Sequence, residues 1–165
     1  ILCDCNLEDL SVDLNYLEGI LNKNDVKVLM LVSVLGLVPK MDEVVELCGK
    51  HEVILLEDTC ESIGSSFKGQ NLGTFGLMSS FSTYFGHHFS TIEGGVICTD
   101  DRDMYNLLKC LRSHGWDRDL SRETQLSLRK DWDVPDFNAL YTFYYSGFNF
   151  RTNPRGKSFL SRTWR

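Results

Sequence analysis

The chain has 165 residues, 42% of them hydrophobic, with 17 Lys and Arg against 23 Asp and Glu and a formal net charge of −6, enough for a domain with its own core. All 23 acids precede residue 151, while Arg151, Arg155, Lys157, Arg162 and Arg165 cluster in the last fifteen positions, so the acidic body argues against nucleic acid as a partner. No apolar run approaches the ~20 residues of a membrane span, and Cys3, Cys5, Cys48, Cys60, Cys98 and Cys110 lack paired metal spacing, which suits free thiols in a reducing, cytoplasmic setting.

Ile1 to Cys5 reads as a short strand with Cys3 and Cys5 on one face. Asp13 is placed to cap a helix on which Leu14, Leu17 and Leu21 share a side. The nearly continuous apolar run 26–34 predicts a strand covered on both sides, broken by Gly36-Leu37-Val38-Pro39. Asp42 lies in the first turn of a helix with Val44, Val45, Leu47 and Cys48 facing inward and Gly49 near its stop. Val53 to Leu56 is a further buried strand, ending in Glu57-Asp58. Strands and helices alternating at these lengths predict a layered α/β fold with mostly parallel strands. Ligands of such sheets sit beyond the carboxyl ends of the strands, where Asp58 falls.

The stretch from Ser62 to Gly76 is rich in Gly and Ser, with a hairpin tip at Phe67-Lys68-Gly69-Gln70-Asn71. A β-forming run from Leu77 to Tyr84 then delivers His87 and His88 into a Gly-punctuated loop, and a second strand, Val96 to Thr99, leaves it through Gly94-Gly95. Neighbouring residues of a strand point to opposite sides, so this histidine pair is a poor chelator and no metal site is expected. A helix follows from about Asp101 to Ser113, with Met104, Leu107, Leu108 and Leu111 on one face. The segment 114–119 reads as a loop, Leu126 to Arg129 as helical, and the aromatic run Tyr141 to Tyr145 as packed. No repeat and no linker divides the chain.

Five motifs occur in order: Glu57-Asp58-x-x-Glu61, Lys68-Gly69-x-x-x-Gly73-x-Phe75-Gly76, Phe81-Ser82, Glu93-Gly94-Gly95 and Gly147-Phe148-Asn149-Phe150-Arg151. Together they resemble the pyridoxal-phosphate-dependent sugar aminotransferase family of fold type I, over roughly residues 1–153. Counted back from Glu93-Gly94-Gly95, His87 stands where that family keeps the lysine that holds the cofactor covalently. Glu61 in place of the usual Gln, the run Gly86-His87-His88-x-Ser90-Thr91-Ile92, and His114-Gly115-Trp116-Asp117-Arg118-Asp119 are similar to the His-for-Lys branch of the family, the sugar 3-dehydratases. A further His-bearing relative carries an iron-sulfur cluster on cysteines downstream of the base; with only Cys98 and Cys110 there, no cluster is expected.

The resemblance implies a three-layer sandwich with a mostly parallel sheet, residues 1–150 being part of the large, cofactor-binding domain. It implies pyridoxal 5′-phosphate or pyridoxamine 5′-phosphate as cofactor, a nucleotide-linked 4-keto-6-deoxy sugar as substrate, loss of its C3 hydroxyl, glutamate as amino donor, and a homodimer, within deoxysugar and O-antigen-type biosynthesis. Residue by residue, His87 would be the base, since imidazole forms no stable covalent link to the cofactor yet has an ordinary pKa of about 6.5 and can carry a proton. Asp58 would face the pyridine nitrogen, Glu61 would accept from the phenolic oxygen, Ser82 would donate to the phosphate, and Asn149 would reach the phosphate site of a neighbouring subunit. Taken alone, these residues also read as a turn-capping Asp, a surface Glu, a strand Ser bonded to backbone and a turn Asn. His88 is left either to pack or to stand behind the residues that touch the cofactor, and 114–119 either lines the nucleotide-sugar side or is a capped, solvated loop.

The family's phosphate loop and stacking aromatic are expected before Ile1, and its small C-terminal domain after the match ends. Residues 151–165 then read as a divergent basic tail, truncated or frame-shifted, on a fragment with part of a site. Two other readings stay open: a sugar aminotransferase that tolerates His87, and a non-catalytic relative used for binding or assembly.

Overall fold

The computed structural model describes residues 1–150; the basic stretch 151–165, expected as a divergent tail, lies outside the described residues. The chain forms two compact units, one from Ile1 to Asp100 and one beginning at Asp101.

In chain order, the first unit contains α1 (Leu14–Lys23), β1 (Val28–Val32), α2 (Met41–Lys50), β2 (Ile54–Asp58), β3 (Ser66–Phe67), β4 (Gln70–Asn71), β5 (Met78–Ser82) and β6 (Gly95–Cys98). Asp13 caps α1 as expected, its carboxylate accepting from the Tyr16 amide at 2.9 Å. Leu17 and Leu21 of α1, with Met41, Val44 and Cys48 of α2, bury against Leu31, Val53, Leu55 and Leu72. Each such side chain contributes about 1.5–3 kcal/mol through the water it sheds. Val45, expected inward, is 40% exposed: the helix starts at Met41, and the i, i+3, i+7 stripe of Met41, Val44 and Cys48 leaves Val45 on the outer side.

The main sheet has the order β1-β2-β5-β6. β1, β2 and β5 are parallel, and β6 returns antiparallel to β5. Leu31 and Leu55 turn toward the helices, whereas Val28, Met30, Val32 and Ile54 on the other face are 46%, 56%, 49% and 46% exposed. The apolar run 26–34 is therefore not covered on both sides among the described residues; its strand is shorter, and one face is open. The register pairs Val32 with Asp58 and Asp58 with Ser80. By the two-residue alternation of a strand, Asp58, Ser80 and Ser82 thus share the open face, at its carboxyl-terminal edge.

Ile1 to Cys5 forms no strand. Cys5 makes a bridge to Val12 across a turn closed by the Asn6 amide on Ser11 at 2.7 Å, and Ile1 and Leu2 are 86% and 93% exposed. The hairpin tip is as expected, with Lys68 and Gly69 at φ 49° and 85° between β3 and β4, the left-handed pair that a two-residue hairpin turn requires.

The second unit contains α3 (Arg102–Leu111), α4 (Arg122–Asp131) and α5 (Asp136–Ala139). Asp101 caps α3 through the Met104 amide at 2.7 Å. Asp117, 1% exposed, accepts from Arg129 Nε at 2.8 Å, and Arg129 Nη1 reaches Asp136 at 2.9 Å. Trp116 stacks on Phe143 with ring centres 5.1 Å apart and Arg118 lies over Trp116 at 3.7 Å; the aromatic run packs only in part, with Tyr144 3% exposed but Tyr141 and Phe143 80% and 55% exposed. The 114–119 loop is thereby tied down from within by Asp117. Among the described residues no helix is long and apolar enough to cross a membrane, no group of three His, Cys, Asp or Glu is arranged to hold a metal, and all six cysteines are free.

Candidate functional site

Asp58 ends β2 half-buried. Its Oδ1 accepts from the Cys60 amide and from the Ser80 hydroxyl, each at 3.1 Å, so this carboxylate oxygen is tied at the strand end. Thr59 secures the same strand end, its amide and hydroxyl both donating to the Ser80 carbonyl at 3.0 and 2.8 Å. Ser80 as the residue that orients Asp58 escaped the sequence reading; its signal was the i, i+2 spacing from Ser82, which puts both on one strand face.

Ser82 ends β5 and is 8% exposed. Its Oγ accepts from the Tyr84 amide at 3.1 Å. A hydroxyl that accepts in this way still has its hydrogen to donate.

His87 sits in the loop between β5 and β6. The loop is closed at its base by the Thr83 amide on Gly94 and the Thr91 amide on Thr83, both at 2.9 Å, and by a 2.8 Å contact between the Thr83 and Thr91 hydroxyls. Gly94 has φ 154°, and a Cβ there would meet Thr83 Oγ1 at 2.6 Å, which accounts for the glycine after Glu93. Within the loop the His87 amide donates to Tyr84 at 3.0 Å, and the Tyr84 ring stands edge-on to the imidazole at 5.5 Å. Nδ1 of His87 is buried with no hydrogen-bond partner. Nε2 lies 3.8 Å from Glu61 Oε1, and Glu61 Oε2 accepts from the Leu35 amide at 2.8 Å.

The structure thus brings Glu61 and His87 together and aligns Asp58 with Ser82 on one sheet face. Asn149 belongs to the second unit, where it is exposed and bridges to Ser113. His88 is exposed, which sets aside packing, one of its two expected roles. Glu57 is also more than a motif letter: 2% exposed on the helix-covered face, it accepts from the amides of Gly73 and Phe75 at 2.7 Å and of Gly76 at 2.8 Å. A Cβ on Gly76 would collide with the Leu55 carbonyl, so the glycines of that motif let the loop close on Glu57.

Residues 1–153 match the DegT/DnrJ/EryC1/StrS aminotransferase family. The chain is 37% identical over 148 residues to the GDP-4-keto-6-deoxy-D-mannose 3-dehydratase of Escherichia coli O55:H7, covering 90% of this chain and 37% of that protein. Among solved structures it is similar to a mutant GDP-4-keto-6-deoxymannose-3-dehydratase with bound GDP-perosamine, at TM-score 0.76 and 36% identity over 90% of this chain and 38% of that one. It is likewise similar to GDP-4-keto-6-deoxymannose-3-dehydratase with a trapped PLP-glutamate geminal diamine, at TM-score 0.75 and 33% identity, again over 90% and 38%. The chain spans less than two fifths of the length of these relatives.

Proposed function

The chain belongs to the DegT/DnrJ/EryC1/StrS aminotransferase family, and from that premise we propose that its residues 1–150 are part of the cofactor-binding large domain of a pyridoxal-phosphate-dependent sugar 3-dehydratase. The fold is the α/β architecture of fold type I, with a mostly parallel sheet. In this reading the full reaction belongs to a longer protein, with its phosphate loop, stacking aromatic and small domain contributed from outside these residues.

The observation that supports the reading most is His87 in the loop that joins β5 to β6. Between Lys68 and Lys109 the chain has no lysine at all, so this loop offers an imidazole and no amine. The donor set fits the cofactor: a carboxylate held in place through one oxygen, a hydroxyl with its hydrogen to give, and a buried imidazole nitrogen without a partner. When bound as pyridoxamine phosphate, the cofactor supplies an amine that condenses with a 4-keto sugar and a conjugated ring that takes up electrons as the C3 hydroxyl leaves.

The chain's own residues do the rest. Asp58 holds the pyridine nitrogen protonated, and Ser80 holds Asp58 in place for it. Ser82 donates its remaining hydrogen to the phosphate. His87 would accept and return the proton without tethering the cofactor, because imidazole forms no stable imine. Glutamate would be the amino donor, a reading supported by the relative trapped with PLP and glutamate. Asn149, exposed in the second unit, is offered to the phosphate site of a neighbouring subunit in a cytoplasmic homodimer. The substrate is a nucleotide-linked 4-keto-6-deoxy sugar, with the guanosine diphosphate sugars of the similar proteins favouring GDP.

The test is to incubate the full-length protein with GDP-4-keto-6-deoxymannose, pyridoxal phosphate and glutamate and to weigh the products. The proposal expects a 3-deoxy sugar that has lost its C3 oxygen. A 4-amino sugar that keeps this oxygen would overturn it in favour of an aminotransferase, and no turnover of GDP- or CDP-linked 4-keto sugars would favour a binding role.

A further inference from the structure

Glu61 is attached to the fold from two directions. It follows β2 in the segment 59–65, which is stitched to the turn after β1. The Ser62 hydroxyl donates to the Ser33 carbonyl, the Ser65 hydroxyl donates to Gly36 at 3.1 Å, and the Ser33 amide donates to Asp58 at 3.0 Å. Leu35, in that same turn, adopts φ 53° beside Gly36 at φ 77°, a left-handed conformation that is uncommon for leucine. In it, Leu35 points its amide at Glu61 Oε2 from 2.8 Å. With one oxygen fixed and the backbone stitched on both sides, the other oxygen is aimed at His87 Nε2, 3.8 Å away.

We propose, building on the dehydratase reading, that Glu61 is the positioning residue of His87: it holds the imidazole by its Nε2 edge and fixes the ring hydrogen of the neutral imidazole on Nε2. A neutral imidazole has a single N–H, and its location is set by what the other nitrogen and the surroundings offer. A carboxylate facing Nε2 draws the hydrogen there. Nδ1, buried and unpartnered, then carries the lone pair. The present separation is about 1 Å longer than a charge-assisted N–H···O bond, so the pair is an electrostatic contact with room to tighten. When Nδ1 gains a proton, Nε2 keeps its own, and the positive charge faces Glu61. The resemblance implies that Glu61 serves the cofactor's phenolic oxygen; in the structure its two oxygens face the Leu35 amide and His87.

The measurement is the tautomer of His87 in the 165-residue chain, read without cofactor from ring-nitrogen correlation spectra of ¹⁵N-labelled protein at about pH 9, where imidazole is neutral. Comparison with His87→Asn assigns the signals. The expected result is the Nε2–H form in the parent and loss of that preference in Glu61→Ala. The Nδ1–H form in the parent would overturn the proposal, as would an unchanged tautomer in a folded Glu61→Ala. The parent spectrum decides even where Glu61→Ala does not fold. Because no turnover is involved, a failure here is distinct from a failure of the dehydratase reading, which the product assay detects.

Discussion

Replacing Glu57 by glutamine keeps size and shape while removing the charge and one acceptor. Both Phe75 and Gly76 donate to Oε1 and Gly73 donates to Oε2, so the amide of glutamine can serve one side but must set its NH₂ against another donor. Hydrogen bonds to a buried charge contribute about 1.5–3 kcal/mol each, and neutral ones about 1 kcal/mol. Two bonds weakened and one donor orphaned therefore cost about 2–4 kcal/mol in Glu57→Gln, and Glu57→Ala, with all three donors unpaired, about 3–5 kcal/mol. With a urea dependence of about 2 kcal/mol per molar, the glutamine variant should unfold at a midpoint roughly 1–2 M lower. Hydrogen exchange offers a local check, because the amides of Gly73, Phe75 and Gly76 should lose protection before the rest of the first unit. A midpoint within about 0.2 M of the parent, at unchanged slope, would refute the reasoning.

Other outcomes follow from the second unit. Arg129→Ala leaves the buried Asp117 without its partner and should destabilise by about 3–5 kcal/mol, whereas Arg112→Ala, which breaks a 3.3 Å pair with Asp119 whose arginine is 54% exposed, should cost under ~1 kcal/mol; equal losses in urea melts would contradict this. Burial, aided by nearby Asp117, pushes the Cys110 thiol from 9.0 up to about 11. At pH 8 its thiolate is then on the order of one part in a thousand, so peptide-mapped alkylation should spare Cys110 in the folded chain and modify it in urea. Because the folded value is the raised one, Cys110 favours folding fully below pH 9 and progressively less as the pH rises toward 11. Cys110→Ala should flatten the stability profile over that window, and an unchanged alkaline decline would count against the assignment.

Much of the frame could be read from local chemistry. Asp13 before a leucine stripe, Lys68-Gly69 between two short strands, and Asp58 at a strand's end are each determined by near neighbours, and each is found where expected. What failed depended on partners distant in sequence. Ile1 to Cys5 makes its described bridge, Cys5 to Val12, within its own turn and does not join the main sheet. The apolar run around β1 specifies a strand without specifying which of its faces has a covering layer among these residues. In α2, the choice of Met41 over Val45 turned on where the first helical residue lies. Within the site, the residues of Glu57-Asp58-x-x-Glu61 were legible as a motif while their assignments were not. Glu57 takes its partners from a loop sixteen or more residues downstream, and Glu61 takes one from a turn twenty-six residues upstream. No periodicity encodes such contacts.

The account turns on an imidazole occupying the position from which relatives' lysine holds the cofactor. The direct measurement is borohydride reduction of the full-length protein saturated with pyridoxal phosphate, followed by peptide mapping, for the parent and for His87→Lys. The account predicts no reduced cofactor on the loop containing residue 87 in the parent and stoichiometric attachment at that position in His87→Lys. Stoichiometric attachment at one lysine of the parent, or a His87→Lys variant that binds the cofactor yet is never labelled at residue 87, would contradict it.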